Sequence, residues 1–128
     1  MKNISLLITT PIKETWSNDV STLMLGHWCN VYDKQNLIRE LKDNSILDYH
    51  WNDAKKVFDD YNYLNSLGDK ILNELSSNLN KIHNLNYPID FWKIIIGNWL
   101  YTFIHISYER WKTIEKVFDN FKVDKTKV

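Results

Sequence analysis

The chain has 128 residues, in which 16 lysines and arginines balance 16 aspartates and glutamates, and 44% of the residues are hydrophobic. This length suffices for one domain with a hydrophobic core, and the balanced charge offers no electrostatic basis for binding nucleic acid. The one cysteine, Cys29, excludes an internal disulfide and fits a reducing compartment. The first apolar run, at 4–8, is too short for the core of a signal peptide, so we expect a cytoplasmic protein.

The first half of the chain alternates short apolar runs with loops that carry proline or glycine. Apolar runs bounded in this way predict buried strands, and apolar residues spaced three or four apart predict a helix. These patterns give strands at 4–9 and 21–25, a helix at 33–42 and a weaker strand at 46–50. We therefore expect an α/β fold in which residues 1–51 form a small, Rossmann-like parallel sheet of about three short strands.

The second half of the chain has a helical period. Apolar residues recur every three or four positions through most of residues 52–121, with one interruption at the segment NLNYPID. This period predicts two long amphipathic helices, the first of them capped by Asn52 or Asp53. We expect both helices to pack with the sheet as a single unit, followed by a charged tail at 122–128.

Three of the six tryptophans lie in the segment FWKIIIGNWLYTFIHISYERW, residues 91–111. A membrane-spanning helix needs about 20 predominantly apolar residues. Polar residues interrupt this segment and Glu109 with Arg110 closes it, so we do not expect a membrane span. Apolar groups on nearly every side of the helix instead favour a core helix surrounded by protein. On this interpretation four aromatic residues are mostly buried: Trp92, Trp99, Phe103 and Trp111.

Polar side chains with acid–base chemistry follow each predicted strand. Glu14 lies beyond the first strand, His27 beyond the second, and His50 at the end of the third. In parallel sheets ligands bind beyond the carboxyl ends of the strands, so these three can meet in one crevice as candidate catalytic acids or bases. Neighbouring residues at the same junctions are candidates for binding substrate: Thr10, Trp16, Gly26, Trp28 and Trp51.

Each candidate also has a purely structural interpretation. Glu14 can be a solvated or helix-capping carboxylate, and Cys29 is expected to be a small buried residue. A zinc site formed by His27, Cys29 and His50 lacks the closely spaced ligand pairs of zinc proteins, so we expect no metal. The sequence has no glycine-rich phosphate loop, and no cofactor is evident from it.

The motifs of this chain occur in an order that resembles a known family. In chain order they are LITT with ETW, LGHWC with VYD, YHWND, DYNYL, LN with IH, FWKIIIGNWL and YERW. Together they resemble the amino-terminal region of a bacterial transferase family, described as glycosyltransferase-like and encoded in surface-carbohydrate gene clusters. The similarity runs from about Leu6 to about Ile114 and departs at Asn98, where the family more often has proline.

The resemblance implies the amino-terminal part of a two-domain transferase acting in surface polysaccharide biosynthesis. Family members continue into a second domain, which would bind a nucleotide-sugar donor, while this part would hold the carbohydrate acceptor. The chain alone is then expected to be inactive and to self-associate. The matched positions that the resemblance implies as site or scaffold are Glu14, Trp16, Gly26, Trp28, His50, Trp51, Trp99 and Arg110. The alternative is a non-catalytic module that binds sugars or a partner protein.

Overall fold

The structure is a computed structural model that describes residues 2–30, 39–41 and 43–127. Most of the helix expected at 33–42 therefore lies outside the described residues.

The chain divides into two compact units. The first comprises Met1–Asn52 together with Trp111–Val128 and is called the sheet unit. The second comprises Asp53–Arg110 and is called the hairpin unit, because it consists mainly of two helices joined by a short turn.

The sheet unit is built on four strands within the described residues. They are β1 (Lys2–Ile8), β2 (Thr22–Met24), β3 (Asn44–Ile46) and β4 (Phe121–Thr126). Their order across the sheet is β3-β2-β1-β4, and every neighbouring pair is parallel. This confirms the α/β class and the parallel sheet expected from the alternation of apolar runs and loops.

Apolar side chains at successive positions of a strand belong to two separate core clusters. Leu7 and Leu23 belong to one cluster, whereas Ile8 and Met24, the next residue on each strand, belong to the other. Successive side chains of a strand point to opposite faces, so this division shows that both faces of the sheet are covered. Val117 joins the first cluster and is fully buried.

The third strand was expected at 46–50 but lies earlier, at Asn44–Ile46. Its polar residues are accommodated by side-chain hydrogen bonds to β2. Thr22 Oγ1 donates to Asn44 Oδ1 at 3.3 Å, and Ser45 Oγ donates to the Thr22 carbonyl at 3.5 Å. An edge strand does not need a continuous apolar run, which is why the pattern misplaced it.

The segment expected to be a charged tail, 122–128, instead carries most of strand β4. Phe121 and Val123 are half-buried against the first core cluster, while the residues that alternate with them are exposed. Thr126 Oγ1 also donates a hydrogen bond to the Leu7 carbonyl at 2.9 Å. Charged side chains on an outer strand discourage pairing with other molecules, so charge here marks a sheet edge.

The hairpin unit confirms the two long helices. Helix α1 runs over Ala54–His83, and helix α2 begins at Ile89 and ends at Asn120, which lies in the sheet unit. Asp53 caps α1 as expected, since its carboxylate accepts from the backbone N–H groups of Lys55 and Lys56 at 2.8 and 3.3 Å. Buried residues recur every fourth position along α1, at Asp60, Leu64, Gly68, Leu72 and Ser76.

The expectation that α2 is surrounded by protein is wrong for much of its length. Trp92 is buried, with 6% of its surface exposed, but Trp99 is 61% exposed, Phe103 54% and Trp111 64%. Composition indicated how apolar the helix is, but not how many neighbours cover it. No helix in the part of the chain that the structure describes is long and apolar enough to cross a membrane.

Candidate functional site

The three predicted junctions lie beyond the same edge of the sheet. Strands β1, β2 and β3 are adjacent and parallel, so their carboxyl ends share one edge. A short 3-10 turn follows each of them, and each turn contains one candidate: Glu14 in Lys13–Thr15, His27 in His27–Cys29 and His50 in His50–Asn52. This is the edge at which ligands bind in open parallel sheets.

The three candidates differ in their access to solvent. Glu14 and His27 are exposed, so both can meet a solute. His50 is 8% exposed, and the ring centroids of its neighbours Tyr49 and Trp51 each lie 4.9 Å from its own. Burial among aromatic rings favours a packing role for His50 and, with it, for the half-buried Trp51.

At the junction after β2, the residues other than His27 have mainly structural roles. A Cβ atom added at Gly26 would lie 2.1 Å from the ring of Trp28, so the absence of a side chain makes room for that indole. Trp28 contacts both core clusters. Cys29 is fully buried and its thiol lies 3.4 Å from the Ile8 carbonyl, which confirms the small buried residue expected there.

The loop after β1 is held in place by its own hydrogen bonds. Trp16 is 7% exposed, and its indole N–H donates to the Thr10 carbonyl at 3.1 Å. Thr10 Oγ1 in turn accepts from the backbone N–H of Ile12 at 3.1 Å, and Thr15 Oγ1 donates to the Ile12 carbonyl at 2.6 Å. Trp16 and Thr10 therefore shape the loop, which is the kind of support that a binding site needs.

A polar cleft of about 410 Å³ lies beside this loop. It is lined by Lys13, Trp16, Ser17, Asn18, Asp19 and Glu40. Of the predicted site residues it contains Trp16, and not Glu14, His27 or His50. The other cleft residues were missed because residues 17–19 (SND) have the composition of an ordinary polar loop, and because Glu40 is distant from them in sequence.

The described residues contain no group of three or more His, Cys, Asp or Glu side chains arranged to hold a metal ion. The two remaining positions from the resemblance lie in the hairpin unit. Trp99 stacks on Phe103, with ring centroids 5.4 Å apart and 15° between the ring planes, and Arg110 Nε lies 3.4 Å from the carboxylate of Glu109.

A family model described as LIC12162 family transferase matches residues 5–128. No curated protein and no solved structure matches the chain significantly. The family match thus covers nearly the whole chain and agrees with the transferase character implied by the motif order.

Proposed function

Because the chain belongs to the LIC12162 family of transferases, we propose that its parallel sheet carries the acceptor side of an active site for sugar transfer. The observation that carries this proposal is the shared carboxyl edge of β1 and β2, where the exposed Glu14 and His27 follow adjacent strands. The sugar and the role in surface polysaccharide biosynthesis are supported by the seven motifs that resemble a glycosyltransferase-like family.

The chemistry requires one base on the acceptor side. An acceptor hydroxyl attacks the anomeric carbon of a nucleotide sugar, a new C–O bond forms, and the bond from that carbon to the nucleotide's phosphate oxygen breaks with its electron pair leaving on the phosphate. The hydroxyl proton passes to the base, for which an imidazole or a carboxylate within hydrogen-bond reach is suitable. We propose His27 for this role, with Glu14 as a second base or as a group that grips the acceptor hydroxyls.

We propose that the donor is bound mainly by another domain, as the resemblance implies, and that the reaction takes place in the cytoplasm. Holding both reactants together supplies much of the rate of group transfer, about 7–11 kcal/mol in favourable cases. The 128-residue chain alone is therefore expected to be inactive. Its self-association remains a prediction, which analytical ultracentrifugation of the purified chain tests.

The alternative is a module that binds sugars or a protein without catalysis. The observation that favours it is the exposed, stacked pair of Trp99 and Phe103, because aromatic faces of this kind bind sugar rings or apolar partner surfaces.

The test is a transfer assay on the protein as its gene encodes it, with nucleotide sugars carrying UDP, GDP, CMP or dTDP, and with the released nucleotide measured. His27→Asn is expected to lower kcat by about 10²–10⁴-fold, the usual contribution of a general base. The matched control is His83→Asn, an exposed histidine of the hairpin unit, and Glu74→Gln serves the same purpose for Glu14→Gln. Turnover that survives both His27→Asn and Glu14→Gln would place the active site elsewhere. Turnover by a monomeric 128-residue chain would contradict the expected inactivity and self-association.

A further inference from the structure

The cleft beside the β1 loop has the size and composition of a binding site. Its volume of about 410 Å³ falls within the range of roughly 300–1,000 Å³ that is typical of small-molecule sites. Its lining combines the hydroxyl, amide, carboxylate and ammonium groups of Ser17, Asn18, Asp19, Glu40 and Lys13 with part of the mostly buried Trp16. Such a lining supplies both donors and acceptors for hydrogen bonds.

The loop that forms the cleft is anchored at both ends. Trp16 lies in the second core cluster and Val20 packs against it, so residues 17–19 form a short bridge between two fixed points. The Lys127 ammonium adds a further restraint by donating to the Trp16 carbonyl at 3.3 Å. Anchoring at both ends restricts the backbone of this bridge before a ligand arrives, which reduces the entropy lost on binding.

The charge of the lining restricts what the cleft can hold. Lys13 contributes one positive charge, and Asp19 and Glu40 contribute two negative charges, which leaves a net charge of −1. A diphosphate would meet this negative lining with repulsion, whereas phosphate sites carry positive charge or converging backbone N–H groups. Carboxylates, an amide and a hydroxyl that line one cleft suit a neutral ligand with several hydroxyl groups.

We infer that this cleft is a subsite for a neutral, polyhydroxylated ring such as an acceptor sugar. The inference rests on the proposed function for its place in the reaction, but binding can be measured without turnover. Asp19 and Glu40 accept hydrogen bonds from ligand hydroxyls, and Asn18 and Ser17 supply both donors and acceptors.

The experiment is a titration of the 128-residue chain, labelled with ¹⁵N and followed by two-dimensional NMR. The probes are glucose, galactose, mannose and N-acetylglucosamine as neutral sugars, glucosamine as a cationic sugar, and UDP as an anion. At least one neutral sugar is expected to shift the amide signals of residues 13, 16–19 and 40. Asp19→Asn and Glu40→Gln are each expected to weaken this binding about tenfold, because each removes a charged acceptor.

Two further variants separate binding from folding. Asp124→Asn removes an exposed carboxylate of β4 in the same unit and is expected to leave binding unchanged. Asn18→Ala, which changes no charge, is expected to weaken binding without altering the dispersion of the spectrum. Equal loss of affinity in Asp124→Asn and Asp19→Asn would show a general charge effect and overturn the inference.

Three results would overturn the proposed subsite directly. They are the absence of cleft shifts with every neutral sugar up to roughly 100 mM, about a hundredfold above a Kd of 1 mM; shifts with glucosamine alone; and shifts with UDP in place of the sugars. Sugar binding with no turnover in the transfer assay would support the subsite and contradict the proposed transferase activity. Turnover with no shift of the cleft signals would support the transferase activity and contradict the subsite.

Discussion

The Trp92 indole N–H donates a hydrogen bond to Asn80 Oδ1 at 3.0 Å, which joins the start of α2 to the end of α1. The same amide brackets the turn between the helices, because Oδ1 accepts from the Tyr87 N–H at 3.1 Å and Nδ2 donates to the Tyr87 carbonyl at 2.9 Å. Asn80 therefore closes the hairpin with three hydrogen bonds from one side chain.

Asn80→Ala is expected to lower the free energy of unfolding by about 1–3 kcal/mol, because three hydrogen bonds are lost and two of them lie near the surface. Chemical denaturation followed by circular dichroism measures the effect. Asn78→Ala, at an exposed position on the same helix, is the control and is expected to change stability by less than about 0.5 kcal/mol. Equal losses in the two variants would show that Asn80 does not organise the turn.

Trp92 and Trp99 are expected to respond differently to truncation. Trp92→Ala removes a buried indole and should cost about 3–5 kcal/mol. Trp99→Ala removes a side chain that is 61% exposed and contacts Phe103, so its cost should stay below about 1 kcal/mol. Urea denaturation of both variants makes the comparison, and a large loss for Trp99→Ala would mean that this surface is covered in solution.

Tyr101 is expected to ionise late in a titration with base. The hydrogen bond that its hydroxyl donates to Asp69, followed by burial and by the negative charge of Asp69, raises the pKa of Tyr101 to about 12. A raised pKa means that this interaction stabilises the fold at lower pH, and that its contribution is lost as the pH rises through about 12.

Asp69→Asn should move this ionisation to a lower pH, because the partner's negative charge and the strong acceptor are removed. Tyrosinate absorbance at 295 nm measures the titration, Tyr101→Phe identifies the late component, and Asp124→Asn is the control. A late component that persists in Tyr101→Phe would assign it to another tyrosine.

Within the sheet unit, a contact between Asp48 and helix α2 is expected to make the protein's stability depend on pH in acid. The Lys116 ammonium donates to Asp48 Oδ2 at 3.0 Å and to the Asp48 carbonyl at 2.7 Å. The hydrogen bond from Lys116, followed by one from Asn52, lowers the pKa of Asp48 below its ordinary value. The resulting stabilisation is fully present above the ordinary pKa of an aspartate, roughly 4. It is lost as the pH falls through the lowered pKa of Asp48.

Lys116→Met is therefore expected to destabilise the protein more at pH 7 than at pH 2–3, by a small amount because Asp48 is exposed. Urea midpoints at both pH values measure the difference. Lys122→Met, at an exposed position of β4, should show no such pH dependence. An effect of Lys116→Met that is equal at both pH values would assign the loss to packing alone.

The sequence by itself determined the local structure of this protein. Hydrophobic periodicity and helix capping both depend on residues a few positions apart. For this reason Asp53 indicated the start of α1, and the apolar runs indicated β1 and β2. The parallel sheet also followed from the sequence, whereas the meeting of Glu14, His27 and His50 in one crevice stays a prediction. The confirmed inferences succeeded because each depends on short-range pattern or on a general rule of α/β topology.

Only the tertiary structure decided which side chains are covered. Strand β4 exists because residues at the end of the chain pair with β1, and its charged side chains gave no sign of that partner. The exposure of Trp99 and the meeting of Glu40 with the β1 loop also depend on residues distant in sequence. Burial is a property of all the neighbours around a side chain, and the sequence pattern reports only those along its own segment.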